Sequence, residues 1–362
     1  MQKAPKVLYI TFIDFSKSSE SGSSVRPKRM YEAFEQMGYQ VVLITGASNK
    51  RKERKGAVTV ARRSLQNDLP DICYIEPPSG PIFFKCDREL IKKIHKLGIP
   101  IGFFYRDIYW RFPMHDFVNK RSIFAVLKEW IIKAMQHRDF RLIQRCVSKI
   151  YLPSQSVNNY IGLSNYGILP PGCQEKDCIK VEHSKVTGIF VGGATERYGM
   201  GLLLKAWAKI APQDAELIIV CPREQWENWV KEWPVYRNVA DNVHIYHLCD
   251  GQELDALYQI SDFGLIPLRR TKYNDIAVPI KLYEYVANRL PIVTTNCTET
   301  EEIIKKYGIG IVCGDNEEEY SAAIEKMIYN LSSGKKYLTE LELAYKQNLW
   351  RRRAKKVIDD LM

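Results

Sequence analysis

Twice along this chain an apolar run ends in small residues and is followed by a helical pattern, and that repeat limits the fold more than any other feature. The first run, Lys6 to Ile13, gives way to the Ser/Gly segment Ser16 to Ser24. A helix is expected from about Pro27 to Met37, Gly38 stops it, and Gln40 to Thr45 reads as a second strand. The second run, Thr187 to Val191, opens into Gly192-Gly193-Ala194-Thr195 and a helix expected over Leu202 to Ile210. A buried strand, a flexible loop and a helix begin a β-loop-α-β unit, and open α/β sheets place ligands at such loops. A chain of 362 residues exceeds what one hydrophobic core usually serves. The reading is therefore α/β with two domains of similar size. The first loop lacks G-x-G-x-x-G, so nothing there supports a dinucleotide fingerprint.

Between the two openings the alternation continues. Strands are expected at Ile72 to Ile75, Ile99 to Tyr105 and Lys149 to Pro153, with a helix at about Asp87 to Leu97. Asn49 to Lys55 reads as a basic loop. Arg106 and Asp107 fall at the carboxyl end of a strand, the edge where α/β sheets keep their chemistry. Ser122 to Val147 reads as a long helix in which Lys128, Lys133, Arg138, Arg141 and Arg145 interleave with apolar residues. A core helix with a basic outer face and a helix lying on a membrane both need that pattern. From Pro170-Pro171-Gly172 to Lys185 the chain is polar and irregular, as a linker reads. Beyond it, strands at Ala215 to Cys221, Val243 to His247, Phe263 to Pro267 and Pro291 to Thr295 alternate with helices at Trp226 to Trp233, Glu253 to Ile260, Pro279 to Ala287 and Glu299 to Lys306; from Asn316 onward the pattern is helical.

The apolar share of 46% and the charged share of 26% are those of a soluble globular protein. The short run Val7 to Ile13, ended by Asp14, is neither a signal peptide nor a membrane span, which points to a first strand in a cytoplasmic protein. Nine scattered cysteines without a C-x-x-C pair read as reduced, mostly buried thiols, and no Cys/His cluster has metal-ligand spacing. The net charge of +11 divides unevenly, +14 over residues 1–170 and −3 over residues 171–362. A basic half of that density faces a polyanion, an anionic membrane surface or solvent. No nucleic-acid signature accompanies it.

The segment Val278 to Val293 carries the most functional information. It reads as a loop, a short charged helix and a buried strand. Pro279 suits a first helical turn, and Lys281 and Glu284, three apart, share a face. Free N–H groups at that turn attract a phosphate, Lys281 adds a full charge, and Glu284 can accept hydrogen bonds from sugar hydroxyls. The implied ligand is a nucleotide diphosphate; an ordinary Lys-Glu surface ion pair fits the same spacing.

Ile260-Ser261-Asp262-Phe263-Gly264-Leu265-Ile266-Pro267, Lys281-Leu282-Tyr283-Glu284-Tyr285-Val286-Ala287, Pro291-Ile292-Val293 and Tyr307-Gly308-Ile309-Gly310-Ile311-Val312 together resemble the retaining glycosyltransferases of family 4, of group 1. Leu169-Pro170-Pro171-Gly172, Phe190-Val191-Gly192-Gly193 and Trp350 with Ala354 extend the likeness over nearly the whole chain. The resemblance implies the GT-B architecture, two Rossmann-like domains facing across a cleft. Residues 1–172 would bind the acceptor, 173–186 link, 187–345 bind the nucleotide sugar, and a closing helix over 346–362 pack back toward the N-terminal domain. It also implies transfer of a sugar, with retention, from a nucleotide-diphosphate sugar to a hydroxyl of a glycan or lipid-linked glycan.

Glu284 stands where the family's second motif Glu holds the ribose. The first motif Glu is replaced by Ile276, with Asp275 the nearest carboxylate. Gly193 stands where an Arg is common, which leaves Arg197 and Lys281 for the diphosphate, and Arg106-Asp107 occupies the stretch where the family often has a His. The expected roles follow. Gly192, Gly193, Arg197, Lys281 and Glu284 bind the donor nucleotide, and Asp275 and Pro279 lie by its sugar. Asp107 and Arg106 are catalytic, with Asp107 orienting the acceptor or acting as its base, while a strand-end cap or an ion pair with Arg106 fits Asp107 equally; Gly22, Ser23 and Arg26 face the acceptor. Neither metal nor cofactor is expected; a UDP-sugar is the expected donor. The basic half fits an anionic, lipid-linked acceptor at the inner face of a bacterial membrane, in surface polysaccharide synthesis. A non-catalytic nucleotide- or glycan-binding partner, or a GT-B sugar-nucleotide epimerase, would share much of this pattern.

Overall fold

Continuous apolar runs of four to six residues are what a parallel sheet covered on both faces requires, and here they form two such sheets. A computed structural model describes residues 4–15, 22–112, 123–210, 213–237, 240–247 and 251–362, without the side chains of 22, 23, 67 and 123–125. The described chain divides into two compact units, Met1–Pro170 with Trp350–Met362, and Pro171–Leu349.

The first unit runs β1 (Lys6–Thr11), α1 (Gly22–Gln36), β2 (Gln40–Ile44), α2 (Arg51–Asn67), β3 (Ile72–Glu76), α3 (Lys85–Lys96), β4 (Ile101–Phe104), α4 (Ile123–Cys146), β5 (Lys149–Leu152), α5 (Asn158–Ile161) and β6 (Tyr166–Ile168). Its parallel sheet has the order β2-β1-β3-β4-β5-β6, with Ile10 of β1 beside Ile44 and Ile75. Tyr9, Phe34, Tyr74, Phe104 and Tyr151 fill one side of this sheet. The second unit runs β7 (Val186–Val191), α6 (Met200–Ile210), β8 (Ala215–Val220), α7 (Arg223–Glu232), β9 (Val243–Tyr246), α8 (Gly251–Gln259), β10 (Phe263–Ile266), α9 (Lys272–Ile276), α10 (Ile280–Ala287), β11 (Ile292–Thr295), α11 (Thr298–Tyr307), β12 (Gly310–Cys313), α12 (Glu317–Ser332) and α13 (Leu338–Gln347). Its sheet has the order β12-β11-β10-β7-β8-β9, also parallel. The last helix, α14 (Trp350–Leu361), returns to the first unit and packs on α1 and the β3–β4 face through Trp350, Ala354, Val357, Ile358 and Leu361.

In the first unit the structure departs from the sequence reading at α2, at the start of α1 and in the segment from Asn158. The basic loop expected at Asn49 to Lys55 is instead the start of α2. Arg54 is fully buried there, its Nη2 2.7 Å from Asp87 Oδ1 and its Nη1 donating to the carbonyls of Thr11 and Gly46, so one arginine of the run serves as a core residue. Helix α1 begins at Gly22 rather than near Pro27, which lies in its second turn. The segment from Asn158 holds a helical turn and an edge strand, α5 and β6, which the reading passed over. Eight of the nine cysteines are described and all are free; Cys249 lies outside the described residues.

Candidate functional site

In an open parallel sheet the two strands at which the order reverses part at their carboxyl ends and leave a crevice. In the second unit these strands are β7 and β10. Tyr285 of α10 pins them together: its hydroxyl donates to the Leu265 carbonyl (3.3 Å) and accepts from the Val191 N–H (3.1 Å). A Cβ on Gly264 would lie 2.3 Å from the Tyr285 ring, so that glycine is what lets the ring lie on β10.

The same helix delivers Lys281. Pro279 is its N-cap, extended at φ −71° and ψ 137°, one position earlier than the helical turn it was expected to occupy, and no side chain caps the N-terminus. Lys281 is buried, 8% exposed, with its ammonium 4.1 Å from the Phe190 ring centroid. Its Nζ has no hydrogen-bond partner among the described residues, and no ion pair forms with Glu284, so the surface-pair reading of this spacing fails. Burial drives its pKa down to about 7 against a smaller upward pull from Glu284. A buried, unsatisfied ammonium is costly unless something anionic meets it.

The loop after β7 lies against that ammonium. A Cβ on Gly192 would stand 2.9 Å from Lys281 Nζ, and one on Gly193 2.6 Å from Gln225 Oε1, so side chains at either position would crowd the loop. At its far end Gly199, with φ +76°, presses against the Pro267 carbonyl so closely that a Cβ would fall 1.6 Å from that oxygen. Arg197 lies on a 3₁₀ turn, its guanidinium carbon 4.8 Å from the Tyr273 ring centroid. Tyr198 stands 5.6 Å from Lys281 Nζ and 5.8 Å from Arg197 Cζ, which brings both cations to one loop. Buried Asn274 fixes that loop by donating to the carbonyls of Arg197 (3.4 Å) and Arg269 (2.7 Å). One turn along α10, half-buried Glu284 accepts from the Tyr258 hydroxyl at 3.5 Å. Asp275 is committed to neighbours, 3.2 Å from Arg270 Nε and accepting from the Thr298 N–H, and Ile276 is buried.

In the first unit the order reverses between β1 and β3. The charged group there is one that sequence reasoning missed. Glu76, the last residue of β3, is fully buried, with Oε1 3.0 Å from Arg26 Nε and Oε2 3.6 Å from Arg106 Nη2. Its signal was present as a carboxylate closing the apolar run Ile72-Cys73-Tyr74-Ile75. Arg26, expected to face the acceptor, is instead turned inward to Glu76. It is buried in α1, stacked 3.4 Å from the Phe104 ring centroid, and acts as a support. Arg106 turns to Glu76, while Asp107 lies with Pro77, Pro78 and Gly80 around a small crevice. Gly22 and Ser23 form the first turn of α1, with side chains outside the described residues, and residues 16–21 of the preceding loop are outside them altogether. No group of three or more His, Cys, Asp or Glu among the described residues could hold a metal ion.

Residues 185–330 match the family described as Glycosyl transferases group 1. A curated relative, the putative teichuronic acid biosynthesis glycosyltransferase TuaH of Bacillus subtilis (strain 168), is 33% identical over 79 residues; the match covers 22% of this chain and 20% of that protein's length. Among solved structures, a glycosyltransferase from Rickettsia africae ESF-5 is similar with a TM-score of 0.66 at 13% identity, over 98% of this chain and 97% of that one. Anabaena HepE in complex with UDP is similar with a TM-score of 0.63 at 12% identity, over 98% and 99%. These likenesses extend the two-domain α/β architecture of GT-B glycosyltransferases over the whole chain, and the stretch that matches the Glycosyl transferases group 1 family lies within its second unit.

Proposed function

We propose that this protein is a glycosyltransferase that moves a sugar from a nucleotide-diphosphate sugar, a UDP-sugar by preference, to a hydroxyl of a glycan or lipid-linked glycan. The observation that carries the proposal is Lys281, a buried ammonium without a hydrogen-bond partner, lying against the Gly192-Gly193 loop where the sheet order reverses. A diphosphate supplies the negative charge that this position lacks. Lys281, Arg197 and the N-terminus of α10 then share the charge of the leaving UDP, which supports transfer without a metal. Glu284 takes the ribose hydroxyls, and Pro279 and Asp275 lie toward the sugar. HepE's complex with UDP supports the choice of uridine nucleotide.

In the reaction the bond from the anomeric carbon to the diphosphate oxygen breaks and UDP leaves with the electron pair. The acceptor oxygen bonds to that carbon and gives up its proton. We assign the proton to Asp107 and the fixing of its loop to Arg106, held by Glu76. Retention follows from the family resemblance. The basic first unit and the TuaH match support an anionic acceptor of bacterial surface polysaccharide synthesis, met at the inner face of the membrane. One observation favours a non-catalytic nucleotide-binding reading: Ile276 is buried where the family carries a carboxylate.

The first test is a thermal-shift panel of UDP, GDP, dTDP, ADP and CMP, with and without EDTA. A selective ligand at a hundred times its Kd adds about 2.7 kcal/mol of stability. UDP standing out in EDTA, together with UDP release from UDP-sugars that drops at least about tenfold in Glu284→Ala, is the expected result. Selective UDP binding with no turnover on any UDP-sugar and acceptor glycan would leave the non-catalytic reading instead.

A further inference from the structure

The two readings of the long helix divide along its length. From Gln136 to Cys146, α4 buries Gln136, Asp139, Phe140, Leu142, Ile143 and Cys146 and is a core helix. Before that it has no buried residue among the described side chains, and it exposes Val126 (41%), Leu127 (60%), Trp130 (74%) and Ile131 (54%). At about 100° per residue these four span an arc of roughly 140° on one side of the helix. Arg138, Arg141 and Arg145 fall within the same arc farther along, so one face of α4 is apolar first and cationic afterwards.

The cationic stretch does not stand alone. Lys92 and Lys96 of α3, with Arg88, line a cavity of about 880 Å³ together with the three arginines of α4, and no carboxylate lines it. Arg138 is matched by Asp139, whereas Arg141, Arg145, Lys92 and Lys96 enter no ion pair among the described residues. Contiguous exposed apolar side chains that include a tryptophan, continued by unpaired cations, match the two layers of a bilayer surface: acyl boundary and anionic headgroups. A soluble polyanion would use the groove and leave Leu127, Trp130 and Ile131 in water. No helix among the described residues is long and apolar enough to cross a membrane, so contact here is by lying on it.

We infer that the α3–α4 face of the first unit docks on an anionic phospholipid bilayer, with Leu127, Trp130 and Ile131 entering the interface and Lys92, Lys96, Arg141 and Arg145 meeting the headgroups. This goes beyond the donor-site reading and names the surface that holds the protein at the membrane. Each cation near an anionic surface is worth roughly a fivefold change in partition at low salt.

The test is co-sedimentation of the full chain with phosphatidylcholine vesicles with and without phosphatidylglycerol, in low and high salt, with UDP binding and the melting temperature measured on the same samples. The wild type is expected to bind only the phosphatidylglycerol vesicles. Lys92→Ser/Arg141→Ser/Arg145→Ser should weaken binding roughly a hundredfold. Leu127→Ser/Trp130→Ser should weaken it at least about tenfold and remove the part that resists salt, with UDP binding and melting unchanged in both variants. Wild type that ignores anionic vesicles while binding UDP normally would overturn this inference alone. So would vesicle binding that neither variant reduces, polyphosphate binding lost only in the cationic variant with no vesicle binding, or a lipid-free dimer that Leu127→Ser/Trp130→Ser dissociates.

Discussion

Replacing Lys281 by methionine should stabilise the fold and abolish donor binding at once, and this opposition follows from its burial. Its pKa falls from 10.5 to about 7. At 1.36 kcal/mol per unit, the buried ammonium costs the folded state on the order of 5 kcal/mol. The sign follows from linkage: below pH 7 the lysine is charged in both states and the cost is fully present, while between pH 7 and about 10.5 only the unfolded chain binds the proton, so stability rises with pH. Lys281→Met should thus gain most at or below pH 7, with the gain fading toward pH 10. Donor binding runs the other way. A diphosphate beside the amine raises its pKa, so UDP is held by the protonated form and its affinity should fall up to about tenfold per pH unit above 7. At pH 8 the phosphate of UDP is fully ionised, and about nine in ten Lys281 side chains are neutral before binding. Calorimetry in buffers of different ionisation enthalpy should therefore record uptake of about 0.9 proton per UDP bound at pH 8, and none in Lys281→Met. A wild type whose UDP affinity is flat from pH 7 to 9 and takes up no proton would refute the reasoning, as would a methionine variant that melts lower at pH 7.

Three further outcomes are expected. Gly199→Ala places a methyl group 1.6 Å from the Pro267 carbonyl at a φ of +76°, so it should cost more than about 2 kcal/mol in urea unfolding, whereas Gly38→Ala, with φ +81° and open space around its Cβ, should cost about 1. Asp87→Asn weakens the pairing of fully buried Arg54 and should destabilise by about 3 kcal/mol; Arg54→Met/Asp87→Leu together should recover most of that loss in thermal melts. Glu76→Gln leaves Arg26 and Arg106 without their carboxylate and should lower turnover with little change in UDP affinity, since the pair lies in the first unit.

The sequence made the sheets legible because parallel strands are apolar runs and need no partner to be seen. Helix α2 was missed for the converse reason. Its inward positions are Arg54, Val58, Ala61 and Leu65, a helical spacing that shows only if an arginine is counted as core. The candidate site of the second unit was legible because Pro279, Lys281 and Glu284 fall within six residues at the start of α10. The charged cluster of the first unit was not, because Glu76 reaches Arg26 and Arg106 across 50 and 30 positions of chain, and only the fold brings them together. The loss of the Lys281–Glu284 ion pair was equally invisible, since the loop that buries the ammonium begins some ninety residues earlier.

The return of α14 to the first unit sets the order in which the protein can mature on the ribosome. The unit translated first is the one that closes last, because the apolar surface of Met30, Phe34, Tyr74 and Phe104 stays uncovered until Trp350, Val357 and Leu361 have been made. Leu361 reaches Gly102 so closely that a Cβ there would stand 2.9 Å from its methyl group. The second unit, all within Pro171–Leu349, meets no such delay. Synthesis therefore reverses the usual N-terminal-first sequence of domain folding, and the first half of the nascent chain is the part a chaperone has reason to hold.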